Sequence, residues 1–161
     1  AVCQMKTALV MADTHGHKAR ITMALRRFAD VDMILHLGDY SRDADTIRSM
    51  TKTPVYAVRG NCDLASSEEA ERLLTIEDVR LLMTHGHRHN VKSSLLSLGL
   101  YAQEQEANVA LFGHTHIPTE EFFGSVLLYN PGSLGEPRIL GPTVGLLTLD
   151  QGAFRTRTVR L

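Results

Sequence analysis

Short runs of apolar residues recur through the first two thirds of the chain, and each run leads into a polar cluster that contains glycine. Apolar runs of this length, bounded by glycine, are typical of buried β-strands, whereas helices need about ten residues or more. The sequence therefore predicts five buried strands: Thr7–Met11, Met33–Leu37, Val55–Val58, Leu81–Met83 and Val109–Phe112.

Side chains of the types that bind metals follow every one of these strands. In chain order they are Asp13, His15, Asp39, Asn61, His85, His114 and His116. In open α/β sheets, ligands bind just beyond the carboxyl ends of the strands. We therefore expect these side chains to lie together at one rim of the fold.

The remaining segments predict helices and hairpins. Helices are expected over His17–Ala29, over Asp43–Met50 with Ser41 as N-cap, and from Ser93 or Ser94 to about Glu106. Hairpins are expected from Arg72–Ile76 with Val79–Thr84, Glu121–Phe123 with Val126–Tyr129, and Thr143–Leu149 with Ala153–Val159. This order predicts an α/β fold in one domain, residues 1–161, with either two mixed sheets or one large mixed sheet and the helices outside.

Two details of this prediction concern side chains. On the third helix, we expect Leu95, Leu96, Leu98 and Tyr101 to form the apolar side. His36 alternates with Ile34 in a buried strand and is expected to be a hydrogen-bonded core histidine, whereas His89 is expected to be a solvated loop residue.

The composition limits the partners and the location. Lys and Arg number 17 and Asp and Glu number 18, so the formal charge is −1 and no broad basic face for stable nucleic-acid binding is expected. No apolar stretch approaches the length of a membrane span. Cys3 and Cys62 are far apart in the sequence, which argues against a disulfide framework and favours the reducing cytoplasm.

The spacing of the polar residues suggests how metal ions are held. Asp13 and His15 are two residues apart, so on an extended chain both side chains point the same way, and His114 and His116 repeat this arrangement. Seven donors exceed the four of a tetrahedral zinc site and fit two ions that share a carboxylate. Mixed imidazole and carboxylate donors favour Mn, Fe, Zn, Ni or Co over Ca or Mg.

The complete series of motifs resembles one known family. Asp13-x-His15, Gly38-Asp39, Gly60-Asn61-x-Asp63, His85-Gly86 and Gly113-His114-x-His116 occur in the order typical of the calcineurin-like metallophosphoesterase superfamily. The loop Asn130-Pro131-Gly132-Ser133 and the short length resemble its small bacterial and archaeal phosphodiesterase branch. The resemblance implies a four-layer α/β/β/α sandwich of two mixed sheets with flanking helices and a metal site at the carboxyl ends of the strands.

The resemblance also implies roles for the donors. It assigns Asp13, His15, Asp39 and His116 to one ion, and Asp39, Asn61, His85 and His114 to the other, so that Asp39 bridges the two. The two ions, with Mn the first expectation, would activate a bridging hydroxide for in-line attack on a small phosphoester. Asp39 and Asn61 are thereby expected to serve catalysis as well as metal binding, and Asn61 to contact the substrate.

Four further residues have roles that the sequence leaves open. Cys62 stands where many relatives have a His that protonates the leaving group, so the acid for that step is open. His87 is either a proton donor or phosphate contact, or a loop histidine. Asp63 either orients a metal-bound group or caps the next turn, and Arg138 either binds the substrate phosphate or supports its loop.

The first functional hypothesis is therefore a metal-dependent phosphodiesterase. Phosphomonoesterase and nuclease activities are alternatives within the same chemistry. A different class of protein, a non-catalytic scaffold of this fold like the small retromer subunit, is disfavoured because every donor position is filled. The sequence predicts no oligomeric state.

Overall fold

A computed structural model describes residues 5–39, 42–61, 63, 68–138 and 141–161. The strands are β1 (Lys6–Met11), β2 (Met33–His36), β3 (Val55–Ala57), β4 (Glu71–Ile76), β5 (Val79–Thr84), β6 (Val109–Leu111), β7 (Thr119–Phe123), β8 (Val126–Asn130), β9 (Thr143–Asp150) and β10 (Ala153–Arg160). The helices are α1 (Lys18–Arg27), α2 (Arg42–Met50) and α3 (Leu96–Glu104). The five predicted strands and three predicted hairpins are confirmed.

Within the described residues, the strands form two five-stranded sheets. The first sheet has the order β10-β9-β1-β2-β3, in which β1, β2 and β3 are parallel and β9 and β10 pair antiparallel. The second has the order β4-β5-β6-β8-β7, in which β5, β6 and β8 are parallel and the two edge strands are antiparallel. Both sheets are mixed, and two sheets, not one large sheet, is the correct alternative.

The two sheets pack face to face on a central apolar core. Val10 and Leu35 enter it from neighbouring strands of the first sheet, and Leu111 and Tyr129 enter it from the second. All four side chains are buried, and full burial of an aliphatic side chain stabilises a fold by about 1.5–3 kcal/mol. This shared core joins the two sheets.

The helices cover the outer faces of the sheets. Ile21 of α1 and Ile47 of α2 are buried against the first sheet, and Leu98 of α3 is buried against the second. The order of layers is therefore helix, sheet, sheet, helix, which confirms the predicted four-layer α/β/β/α sandwich.

The helix ends differ from their predicted positions by a few residues. Helix α1 is shorter than predicted at both ends, and α2 begins at Arg42, while its predicted N-cap Ser41 lies outside the described residues. Helix α3 begins at Leu96, whose N–H donates to Ser94 Oγ at 3.1 Å.

The expected apolar side of α3 is wrong in part. Leu96 is 56% exposed, whereas Leu98, Gly99 and Ala102 are buried. The Phe123 ring lies so close over Gly99 that a Cβ there would collide with it, and this contact turns the small side of the helix towards the sheet.

Candidate metal centre

Loops from both sheets meet at one rim of the sandwich. Asp13 and Asp39 follow β1 and β2 of the first sheet, whereas His85 and His114 follow β5 and β6 of the second. Backbone hydrogen bonds join neighbouring loops: Asp13 N–H donates to the Gly38 carbonyl at 3.1 Å, and Gly113 N–H donates to the His85 carbonyl at 2.9 Å. Across the two sheets, His114 N–H donates to Asp13 Oδ2 at 3.0 Å.

The donor atoms form two groups with one shared member. In the first group, atoms of Asp13, His15, Asp39 and His116 all lie within 4.8 Å of one another. In the second, atoms of Asp39, His85 and His114 satisfy the same limit. Donors about 2.1 Å from one ion are at most about 4.2 Å apart, so each group needs only a small contraction to hold an ion.

The individual distances show how closely the groups approach. His116 Nε2 lies 3.5 Å from Asp13 Oδ1, and His15 Nε2 lies 3.8 Å from Asp39 Oδ2. In the second group, His85 Nε2 lies 3.4 Å from the same Asp39 oxygen. Asp39 Oδ2 thus faces imidazoles from both groups.

Hydrogen bonds on the far side of two rings determine their tautomers. His85 Nδ1 donates to the Leu37 carbonyl at 2.8 Å, and His116 Nδ1 donates to the Glu136 carbonyl at 2.7 Å. A carbonyl only accepts, so in each neutral ring the proton is on Nδ1 and Nε2 presents a lone pair to the centre. Metal-binding histidines are oriented in this way.

The buried polar atoms of the centre fit a divalent ion. Asp13 Oδ1 and His85 Nε2 are fully buried, and no described residue forms a hydrogen bond with either atom. Buried polar atoms are almost always paired, and a bound cation would satisfy both lone pairs at once. The donor set, imidazole nitrogens with carboxylate oxygens, is one that first-row divalent metals accept.

The electrostatics of the metal-free centre follow from burial and the two carboxylates. Burial alone would lower the pKa of His85, but Asp39 and Asp13 outweigh it and raise that pKa above its usual value. The Asp13 carboxylate likewise raises the pKa of His116. Burial, then the neighbouring His85 and Lys92, lowers the pKa of His114 to about 4. Protons therefore compete with a metal at His85 and His116, whereas His114 is already neutral.

The backbone of the donor loops is in the left-handed region, not extended. Five donor residues have φ between 45° and 72°: Asp13, His15, Asp39, His114 and His116. The expectation that residues two apart converge because the chain is extended is therefore wrong. Asp and His tolerate this region better than most residues, and such strain is concentrated at functional sites. The chain leaves each strand in a sharp turn, which directs the side chains across the rim.

The segment that carries Asn61 packs directly on the Asp39 loop. A Cβ on Gly60 would lie 2.5 Å from Asp39 N, so only glycine allows this approach. Asn61 follows at the surface with an exposed side chain.

Comparison with known proteins identifies the family. The calcineurin-like phosphoesterase superfamily domain matches residues 5–152. The chain belongs to this superfamily.

Two relatives of this phosphoesterase-superfamily chain match more than nine tenths of its length. It is 37% identical over 151 residues to the probable metallophosphoesterase YsnB of Bacillus subtilis, and this alignment covers 92% of this chain and 88% of the relative. It is 27% identical over 167 residues to the phosphodiesterase MJ0936 of Methanocaldococcus jannaschii, and this alignment covers 91% of this chain and 95% of that protein.

Two solved structures share the fold of this superfamily member. A predicted phosphoesterase from Streptococcus pneumoniae superimposes with a TM-score of 0.84 at 26% identity, covering 99% of this chain and 91% of the other. Vacuolar protein sorting 29 from Cryptosporidium parvum superimposes with a TM-score of 0.77 at 16% identity, covering 98% of each chain. The second likeness shows the fold alone.

The other predicted site residues of this superfamily member lie at different depths. The half-buried His87 ring has its centroid 5.5 Å from that of His85 and 6.2 Å from that of His114, so it stands beside the second donor group. No described residue forms a hydrogen bond with its buried Nδ1. Burial, followed by the neighbouring His85, lowers the pKa of His87.

Asp63 and Arg138 form hydrogen bonds with backbone groups of the loops that carry the predicted ligands. Asp63 Oδ2 accepts from Gly60 N–H at 2.8 Å, and Asp63 N–H donates back to the Gly60 carbonyl at 3.2 Å, which closes the turn that carries Asn61. Arg138 is exposed, and its N–H donates to the His116 carbonyl at 3.5 Å. Cys62 lies outside the described residues.

Sequence reasoning missed the residues that support the donor loops. Ser133 Oγ donates to the Asp13 carbonyl at 2.9 Å, and Asn130 Nδ2 donates to the Gly113 carbonyl at 3.2 Å. The Asn-Pro-Gly-Ser motif was the available signal, because a rigid loop of this composition commonly has a function.

The expectation that His89 is a solvated loop residue is wrong. Its Nε2 lies 2.5 Å from Glu71 Oε2, and its ring packs 4.6 Å from that of Tyr101. Both partners of His89 are distant from it in the sequence, so no local sequence pattern predicts these contacts.

Proposed function

We propose that this chain is a phosphoesterase that uses two divalent metal ions and prefers phosphodiesters. The observation that carries the proposal is the position of Asp39, which belongs to both donor groups. Membership of the superfamily supports metal-dependent phosphoester hydrolysis. The name of the archaeal relative supports the preference for diesters.

The proposed ligands follow from the two groups. Asp13, His15, Asp39 and His116 hold one ion, and Asp39, His85, His114 and Asn61 hold the other. Donor atoms of all four members of the first set, and of the first three members of the second, lie within 4.8 Å of one another. For Asn61, the support is the contact of its preceding glycine with Asp39. Two bound ions would supply a hydroxide nucleophile from water and would neutralise charge on the phosphoryl oxygens.

The chain's own groups then bind and orient the substrate. Asp13 and Asp39 bring two negative charges against four from the ions, which leaves the centre attractive to an anionic phosphoester. His87 stands beside the second group, where it contacts the phosphate or, in the fraction of molecules whose ring is protonated, protonates the leaving oxygen. Cys62, at the position of the usual acid, is a poor replacement because a thiol has a pKa of about 8.5. Arg138 at the edge offers a further phosphate contact, and Asp63 keeps the Asn61 turn closed.

The metal is proposed to be Mn²⁺, with Fe, Zn, Ni or Co as substitutes. Two imidazoles on each ion make the hard ions Ca²⁺ and Mg²⁺ poor candidates. The donor set does not discriminate further among first-row metals, so availability selects the ion.

The substrate is proposed to be a small phosphoester. The formal charge of −1 gives no support for a nucleic-acid partner. Among the described residues, no helix is long and apolar enough to cross a membrane. A cytoplasmic location stays a prediction from the two separated cysteines.

The scaffold alternative has weaker support. The likeness to vacuolar protein sorting 29 is one of fold at 16% identity. Carboxylates and imidazoles lie together in both donor groups, and the lone pairs of His85 and His116 are directed inwards, which supports the metal-dependent reading.

The proposal is tested by replacing the shared carboxylate. Metal-stripped protein is reloaded with Mn²⁺, bound ions per chain are counted by elemental analysis, and hydrolysis of bis-p-nitrophenyl phosphate is compared with that of p-nitrophenyl phosphate. We expect the wild type to bind two ions and to prefer the diester. Asp39→Asn should bind fewer ions and lose at least about a hundredfold in rate.

Asp45→Asn is the matched control, because Asp45 is an aspartate of α2 with a 77% exposed side chain. It should keep the wild-type rate and ion count. Full diester hydrolysis by Asp39→Asn would refute the two-ion mechanism. Two bound ions without hydrolysis of either ester would favour the scaffold, and faster monoester hydrolysis would favour a phosphomonoesterase.

A further inference from the structure

Behind the donor loops lies a buried chain of hydrogen bonds that contains none of the proposed ligands. We call Thr14, His36 and Asp43 the buried triad. Thr14 and His36 are fully buried, and Asp43 is 4% exposed. Thr14 Oγ1 lies 2.9 Å from His36 Nε2 and donates to Asp43 Oδ2 at 2.5 Å.

The direction of each bond in the buried triad is determined by its neighbours. Gly38 N–H donates to His36 Nδ1 at 3.2 Å, so the ring proton is on Nε2 and is donated to Thr14 Oγ1. The Thr14 hydroxyl must then donate to Asp43, whose Oδ2 also accepts from Gly16 N–H at 2.9 Å. Burial lowers the pKa of His36, in keeping with a neutral ring. The network has one arrangement, which makes it a rigid connector.

The buried triad joins the segments that present three proposed ligands. Thr14 stands between Asp13 and His15, and Gly38 immediately precedes Asp39. Both segments leave their strands with φ near 50°, a conformation that needs external support. Asp43 anchors them to the first turn of α2.

We propose that Thr14, His36 and Asp43 are positioning residues that hold Asp13, His15 and Asp39 at the spacing needed to bind divalent ions. This inference rests on the proposed function, because it assigns the triad to the same centre. The competing explanation is a polar core network that stabilises the fold and has no effect on metal affinity.

Thr14→Val tests the inference, since it removes the hydroxyl and keeps the shape of the side chain. Mn²⁺ affinity is measured by titration calorimetry on metal-stripped protein, and stability is measured by urea unfolding in chelator. We expect Thr14→Val to weaken Mn²⁺ binding about ten- to hundredfold, the usual effect of losing a group that orients ligands. Thr14→Ser, which keeps the hydroxyl, should restore affinity to within about threefold of the wild type.

Tyr129→Phe is the control for lost stability. It deletes a hydroxyl that lies 2.8 Å from Thr158 Oγ1, a contact between the two sheets outside the donor groups. It should lower the urea midpoint and leave Mn²⁺ affinity unchanged. If Thr14→Val does not fold, Asp43→Ala removes the terminal acceptor and should weaken Mn²⁺ binding in the same way.

The inference is overturned if the folded variants bind Mn²⁺ within twofold of the wild type, or lose no more affinity than Tyr129→Phe. These results are separable from a failure of the proposed function. Calorimetry reports ion binding without catalysis, so a wild type that binds ions but hydrolyses no ester would leave the test of the triad intact.

Discussion

Replacing His116 by glycine should leave a more stable metal-free protein than replacing it by alanine. His116 has φ of 63°, in the left-handed region. Both substitutions remove the same imidazole and the same bond from Nδ1 to the Glu136 carbonyl. The two variants therefore differ only in how a Cβ tolerates the backbone and in the freedom of the unfolded chain.

The two contributions have opposite signs. A Cβ in the left-handed region costs about 1–2 kcal/mol, and glycine avoids this cost. Glycine loses about 0.5–1 kcal/mol more conformational entropy on folding than alanine. With the middle of each range, about 1.5 and about 0.75 kcal/mol, the net expectation is that His116→Gly is more stable by about 0.75 kcal/mol. With a urea m-value of about 1.5 kcal/mol/M, the midpoints should differ by about 0.5 M.

Urea unfolding followed by circular dichroism, with chelator present, measures this difference. The matched control is Leu100, an exposed residue in the middle of α3, where alanine should exceed glycine by about 1 kcal/mol. An alanine variant at position 116 that equals or exceeds the glycine variant would refute the reasoning. The donor loops would then not be in the left-handed conformation, and the geometry of the centre would be wrong.

Three other perturbations test separate parts of the structure. Glu71→Gln should destabilise the protein by about 1 kcal/mol, because burial raises the pKa of Glu71 but hydrogen bonds from His89, Thr84 and Tyr101 outweigh burial and lower that pKa. The stabilisation is therefore present above the ordinary glutamate pKa of about 4.3 and is lost as the pH falls through the lowered value. Urea midpoints of both proteins across pH 3–7 measure this loss, and a difference that stays constant with pH would contradict it. Mn²⁺ at a hundred times its dissociation constant should stabilise the wild type by about 2.7 kcal/mol for each ion bound, or about 5.4 kcal/mol for two. Chelator should reverse the shift in a thermal melt, and an unchanged melt would count against a metal site. Gly60→Ala should destabilise the fold by about 1–3 kcal/mol and weaken Mn²⁺ binding in calorimetry, because the alanine Cβ would lie 2.5 Å from Asp39 N. A variant with wild-type stability and wild-type Mn²⁺ affinity would exclude that close packing.

Local periodicity was sufficient for the elements and for the chemistry at their ends. Strands such as β2 and β6 are short apolar runs bounded by glycine, and the turn at Glu77-Asp78 lies between two strand-like segments, so each could be recognised within about ten residues of chain. The donor residues follow those strands directly. A motif series in a particular order then indicated the family, because the chance of all its members occurring together is small.

Contacts between distant segments were beyond the reach of such patterns. The pairing of β1 with β9 places Leu9 beside Leu146, and no local signal specifies which strand pairs with β1 on that side. The same holds for His89 with Glu71, and for Thr14 with His36 and Asp43. Long-range packing also overrode the apolar pattern of α3, where Phe123 over Gly99 leaves Leu96 exposed.

The amino-acid order thus specifies the strands, the hairpins and the kinds of donor at the strand ends, since these depend on neighbouring residues. The tautomers of His85 and His116 and the left-handed turns at the donors depend on carbonyls and other backbone groups supplied by other segments. Their geometry exists only after both sheets pack, because the hydrogen bonds and steric contacts that enforce it join residues far apart in the chain.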